Sequence, residues 1–162
     1  AENIPGGGSK IISEKVKNEY RLEMLYSVVQ NLSFRTRLEG SFLEYKSDKT
    51  TESGFMVYHD VLWQTTGNLF LNCRFSLFNT NSYETAIYQY ERDITGSFGS
   101  NALYDKGFRF YFTAGYRLQN IASLLFKYSN STYKDKKSIG SSYDELKGRS
   151  ISKVSFEMNI RF

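Results

Sequence analysis

Lys153-Val154-Ser155-Phe156-Glu157-Met158-Asn159-Ile160-Arg161-Phe162 is the stretch that decides the fold. Val154, Phe156, Met158, Ile160 and Phe162 alternate without a break with Lys153, Ser155, Glu157, Asn159 and Arg161. Successive side chains of a strand point to opposite faces, so a period of two predicts a β-strand with one apolar and one polar face.

Working outward, the same pattern returns along the whole chain. Leu124, Phe126 and Tyr128 alternate with Ser123, Lys127 and Ser129, and Phe108, Phe110, Phe112, Ala114, Tyr116 and Leu118 with Arg109, Thr113 and Arg117. Leu69, Leu71, Cys73, Phe75 and Leu77 alternate with Asn72, Arg74 and Ser76. Leu32, Phe34, Thr36, Leu38 and Phe42 stand against Ser33, Arg35, Arg37, Glu39 and Ser41, and Tyr20, Leu22, Met24, Tyr26 and Val28 against Arg21, Glu23 and Ser27. The predicted fold class is all-β and antiparallel.

Composition narrows the setting. Aromatics make up 17% of the 162 residues, there is one proline, and the mean hydropathy is -0.48. No run approaches the roughly 18 uncharged apolar residues that a spanning helix needs. A β-barrel escapes that requirement because only alternate residues meet lipid. The apolar faces are rich in Phe and Leu, and the strands reach about ten residues, long for a soluble sandwich. Both features favour a transmembrane barrel over a sandwich with an apolar core. In that reading Leu69, Leu71, Phe75, Leu77, Phe108, Phe110, Phe112, Val154, Phe156, Met158 and Ile160 face lipid. Arg35, Arg37, Glu39, Arg74, Glu91, Asp93, Arg109, Arg117, Glu157 and Arg161 form a cross-strand charge lattice in the lumen. Charges there must be paired or hydrated, and hydrated ones would line a pore with some preference for anions.

Connections come in two lengths. Gln30-Asn31, Thr66-Gly67-Asn68 and Gln119-Asn120 are tight turns, in which Asn tolerates positive φ. Ser47–Ser53, Thr95–Lys106 and Ser131–Arg149 are longer and polar. Outer-membrane barrels put short turns on the periplasmic side and long loops outside. Counting back from Phe162, the scheme is consistent if Leu69 to Asp93 is one ascending strand, kinked at Asn79–Ser82. About seven strands follow, the first starting outside. Such a set cannot close by itself, so the seven would be the C-terminal part of a larger barrel. If Asn79–Ser82 instead reverses the chain, about eight strands could close a small barrel acting as pore or adhesin. Residues 1–10, with Pro5 and Gly6 to Gly8, read as a flexible external segment, and 11–162 as the barrel strands. No signal peptide is legible at the start.

Few residues suggest chemistry. The single His59 rules out a multi-histidine metal site, and Asp60 beside it points to the opposite face. It reads as a girdle or lumen residue. Glu91 and Asp93 could bind Ca²⁺ or exchange protons, but pairing with Arg74, Arg109 or Arg117 is the plainer role. Asp144-Glu145 follows a Gly-Ser loop with no calcium-loop spacing. Lone Cys73 excludes an intramolecular disulfide. The net charge of +4 is scattered and shows no basic face for nucleic acid. No catalytic residue, metal or cofactor is expected, and the chain is read as non-enzymatic.

From Tyr20 to Phe162 the chain resembles the barrel-forming C-terminal region of the helix-hairpin-helix-containing outer-membrane proteins of Bacteroidota. The resemblance is carried by Glu52-Ser53-Gly54 leading into Tyr58-His59-Asp60, by Phe78-Asn79-Thr80-Asn81-Ser82-Tyr83, and by Ile87-Tyr88-Gln89-Tyr90-Glu91. Tyr104-Asp105-Lys106-Gly107-Phe108-Arg109 and Ser138-Ile139-Gly140-Ser141-Ser142-Tyr143-Asp144-Glu145 complete it, before the closing strand. It implies a location in the outer membrane and a large barrel preceded by helix-hairpin-helix repeats, which this chain lacks. An envelope complex or a transport or DNA-handling system would be the setting, with no nucleic-acid contact by this chain. Expected partners are outer-membrane lipid, an N-terminal barrel piece or another outer-membrane subunit, and the barrel assembly machinery. Phe162 closing an alternating strand resembles the C-terminal signal which that machinery reads.

Overall fold

Alternation produces long strands, and tight turns join them into a meander. In the computed structural model, residues 14–161 are described except 48, 66, 95–99, 120 and 141–144. The long strands are β1 (Lys15–Val29), β2 (Leu32–Tyr45), β3 (Thr51–Gln64), β4 (Leu69–Thr80), β7 (Lys106–Leu118), β8 (Ala122–Tyr133) and β11 (Ser150–Ile160). They form one seven-stranded antiparallel sheet in the order β1-β2-β3-β4-β7-β8-β11. Two hairpins stand apart from it, β5 (Ile87–Tyr90) with β6 (Ser100–Leu103), and β9 (Ser138–Ile139) with β10 (Leu146–Lys147). Among the described residues β1 and β11 pair neither with each other nor with any further strand, so the sheet is open at both edges.

The strand after Thr80 corrects the expectation of a single ascending strand from Leu69 to Asp93. β4 ends at Thr80, the chain turns through residues 81–86, and β5 runs back over one face of the sheet. Nor does β5 become an eighth strand of the main sheet: it pairs only with β6. Asn79 pairs with Lys106, and the Thr80 amide donates to the Asp105 carbonyl at 2.8 Å. The strands therefore meet as if joined by a hairpin, with the intervening residues inserted between them.

Of the tight turns, Thr66 and Asn120 lie outside the described residues. Positive φ is found at Gln119 (47°) and not at Asn31. The β1–β2 turn is accommodated instead by a register shift between Ser27 and Val29, a bulge that restores the strand twist.

The two faces differ as the alternation requires, but their covering is the reverse of a soluble sandwich. The polar face is buried beneath the β5–β6 insert, with Ser76, Asp60, Arg74, Thr113 and Lys127 all nearly inaccessible. The apolar face is the exposed one: Leu22 is 68% accessible, Val154 64% and Phe156 63%. The small apolar core lies on the insert's side, where Met56, Tyr58, Phe78 and Tyr133 of the sheet meet Ile87, Leu103 and Ile139. Close approach there relies on Gly54, since a Cβ at that position would sit 2.4 Å from the Thr85 carbonyl oxygen.

The apolar band has a sharp upper margin. Its last members are Tyr20, Phe42, Phe55, Leu77, Phe108, Tyr128 and Val154, strand by strand across the sheet. Two residues further toward the long loops stand Asn18, Glu44, Ser53, Asn79, Lys106, Asn130 and Ser152, polar in every strand. The margin also slants. Register carries Val154 through Tyr128, Phe112, Cys73, Val61 and Phe34 to Tyr26, whereas the margin in β1 is Tyr20, six residues away.

Candidate functional site

The polar face and the segment folded over it form the most elaborate constellation in the molecule. Its residues come from inward positions of β3, β4, β7 and β8, from β5, and from the stretch after it.

Asp60 and Arg74 are direct cross-strand partners, and alternation points both inward. Arg74 Nε and Nη2 donate to the two Asp60 carboxylate oxygens at 2.5 and 2.7 Å. Its remaining arm, Nη1, donates to the Tyr90 carbonyl of β5 at 2.8 Å. The guanidinium lies 3.8 Å from the centre of the Tyr58 ring and 5.4 Å from that of Tyr111. Planar stacking and a bidentate fork together fix this cation in one orientation.

One strand pair further on, Glu91 is held by two cations. Arg109 Nε and Nη2 donate to it at 2.5 and 2.9 Å, while Lys127 Nζ stands 2.9 Å from Glu91 and 2.9 Å from Asp93. The Glu91 side chain is fully inaccessible, and Arg109 also donates to the Ser131 hydroxyl at 2.6 Å. Ser76 donates to Gln89 at 3.0 Å, and Thr113 to the Arg92 carbonyl at 3.3 Å. Arg92 in turn lies over the Phe70 ring at 4.5 Å. That ring occupies the space above Gly115. An exposed anchor is added at the turn, where Lys15 donates to Glu84 at 2.6 Å. This hydrogen bond holds the Glu84 carboxyl below its ordinary range.

The predicted charge set thus separates into groups. Arg74, Arg109, Glu91 and Asp93 are brought together, but Glu91 and Asp93 sit on the insert, and Asp93 is paired with Lys127 rather than an arginine. Arg35, Arg37 and Glu39 form a second group with β1. Arg37 donates to Glu23 at 2.7 Å, Arg21 to Glu39 at 2.9 and 3.0 Å, and Arg35 lies 4.0 Å from Glu23. Arg117 and Arg161 are exposed near the tight-turn end and make no ion pair among the described residues. Glu157 accepts a short hydrogen bond from Asn159. Phe162 and Asp144 lie outside the described residues. Neither Lys127 nor the insert's backbone carbonyls stand out in the sequence as parts of this cluster. Lys127 was legible as an inward cation, but its partners arrive from a segment distant in the chain.

The predicted lipid-facing residues, Leu69, Leu71, Phe75, Leu77, Phe108, Phe110, Phe112, Val154, Phe156, Met158 and Ile160, share the exposed face by register. His59 also lies there, not on the polar face: its ring stacks on Phe34 at 5.5 Å and Nδ1 is hydrogen-bonded to the Thr36 hydroxyl at 2.9 Å. Asp60, its neighbour, points to the other face. Among the described residues no group of His, Cys, Asp and Glu converges as a metal site.

Chemically, this arrangement is a clamp. Each buried carboxylate already faces a cation, and the cations hold the insert by carboxylates and carbonyls. No family model, curated protein or solved structure matches the chain.

Proposed function

We propose that this chain supplies seven transmembrane strands of an outer-membrane β-barrel, and that residues 81–105 occlude its lumen as a plug. It acts as a non-enzymatic component of a larger barrel. The observation that carries this reading is the slanted, exposed apolar band. Six residues at about 3.4 Å against six strand spacings at about 4.8 Å give a tilt of about 35°. Transmembrane strands tilt by about 35–45°. At that tilt Phe55 to Trp63 and Phe108 to Leu118 span roughly 22–28 Å along the normal, against about 25 Å for the apolar band of such barrels.

The open edges define what must be added. β1 and β11 both run from the long-loop end to the tight-turn end, so β11 of one copy beside β1 of another would pair parallel. An alternating barrel is completed only by an odd number of further strands. An unpaired edge in hydrocarbon leaves its N–H and C=O groups without partners, at several kcal/mol each. The natural source is another barrel segment or another outer-membrane subunit, in an envelope complex of the kind the family resemblance implies. A soluble sandwich would need a second sheet over the apolar face, and what covers a face here covers the polar one.

The test is the intact mass, under denaturing conditions, of all that copurifies with the chain in mild detergent. A stoichiometric companion bearing further strands is the expected result. A chain that stays monomeric and soluble without detergent would overturn the reading.

A further inference from the structure

A concavity of about 1300 Å³ lies on the exposed apolar face at the upper margin of the band. Its lining comes from outward positions of β1, β2, β3, β4 and β7, with Lys106, Lys134 and Arg149 at one end. Gly40 lies under its floor: the Phe42 and Phe55 rings close over the missing side chain, and a Cβ there would stand 3.1 Å from the one and 3.6 Å from the other. Those two rings stack edge to face at 5.3 Å and give the groove a rigid aromatic wall.

The cationic end is unusual for this molecule. The Lys134 amide donates to the Lys106 carbonyl at 2.7 Å, so the two residues are cross-strand neighbours. Both continue the outward set, two residues beyond Thr132 and Phe108. Like charges placed opposite each other are destabilising. Elsewhere the sheet answers its close cations with acids; here neither ammonium has an acid partner among the described residues. The adjacent Asp105 is engaged by Lys136 at 2.8 Å.

We propose that this groove binds a phosphate-bearing acyl lipid of the leaflet on the long-loop side. An acyl chain lies along the Phe42–Phe55 wall, and the phosphate bridges Lys106 and Lys134. A phosphate carries the charge and the acceptor oxygens to relieve the lysine pair, which a neutral headgroup does not. The site rests on the membrane reading above, since only in a bilayer does the apolar margin meet headgroups at this height.

The experiment is native mass spectrometry of the intact complex released from mild non-ionic detergent, titrated with dioleoyl phosphatidic acid or with dioleoylglycerol, which has the same acyl chains and no phosphate. Phosphatidic acid should be retained preferentially. Lys106→Gln with Lys134→Gln should lower its retention by about thirtyfold, at roughly 1 kcal/mol per surface cation. Gly40→Leu, which pushes the Phe42 and Phe55 rings out into the groove and leaves the cations, should lower retention of the lipid but not binding of inorganic phosphate. Equal retention of both lipids would overturn the proposal, as would no change in the double variant, or complete displacement of the lipid by inorganic phosphate. Bilayer insertion without headgroup preference defeats this site alone, whereas a chain soluble without detergent defeats the membrane reading itself.

Discussion

At the scale of single residues, Glu91 is the side chain on which the insert depends most. It is inaccessible and shared between Arg109 and Lys127, so its removal leaves two cations in a poorly hydrated space. Glu91→Ala should cost about 3–5 kcal/mol in denaturant unfolding from detergent micelles, the range for breaking a buried pair by deleting one partner. Truncating exposed Lys46, paired with Glu14 at 2.6 Å, should change stability by less than about 1 kcal/mol. Glu84 gives a pH signature. Lys15 holds its carboxyl below the ordinary value, so its contribution is complete above about pH 4.3 and fades as pH falls through the depressed value. Acidification should loosen the 81–86 turn, followed by hydrogen exchange at Ala86, whose amide donates to the Tyr83 carbonyl. The acid-dependent step should vanish in Glu84→Gln.

At the scale of elements, the insert is separable from the strands that carry it. Asn79 and Lys106 are already paired, so residues 81–104 can be exchanged for a two-residue Asn-Gly turn without altering the register of β4 and β7. The shortened chain, assembled with its barrel partner in a planar bilayer, should conduct ions severalfold better than the parent. Unchanged conductance would mean that the insert does not occlude the lumen. The sequence offered two readings of Asn79–Ser82, a kink or a reversal to an eighth strand. It held the signal of neither outcome, because Ile87 to Tyr90 alternates like any strand. Whether such a segment joins the sheet or crosses its face depends on which edge of β4 is already taken, and β7 takes it.

At the scale of the whole molecule, the exposed band and the open edges set the energetics. Phe112 sits near the middle of the band in β7, beside Cys73 and Tyr128 by register. Phe112→Lys should destabilise the assembled barrel in lipid by about 2–4 kcal/mol, the cost of a cation near the bilayer midplane. The same change should have little effect if the face were only wet. Heat-modifiable migration and reversible urea unfolding in vesicles would measure it.

What the sequence determined by itself is everything that follows from a period of two. Because side chains alternate, it fixed the strands from Tyr20 to Ile160, the two faces, and the long and short connections. The outward-facing apolar set from Leu69 to Ile160 follows from the alternation, as does the inward direction of Arg74 and Arg109. Tertiary structure decided what local pattern cannot carry. It chose the partners of the inward charges, sending Glu91 and Asp93 across from the insert to Arg109 and Lys127. It turned His59 outward, since register, not chemistry, assigns a face, and it left β1 and β11 open. Ion pairs and sheet edges depend on segments far apart in the chain, and their selection rests on which backbone donors and acceptors remain unpaired once the meander has formed.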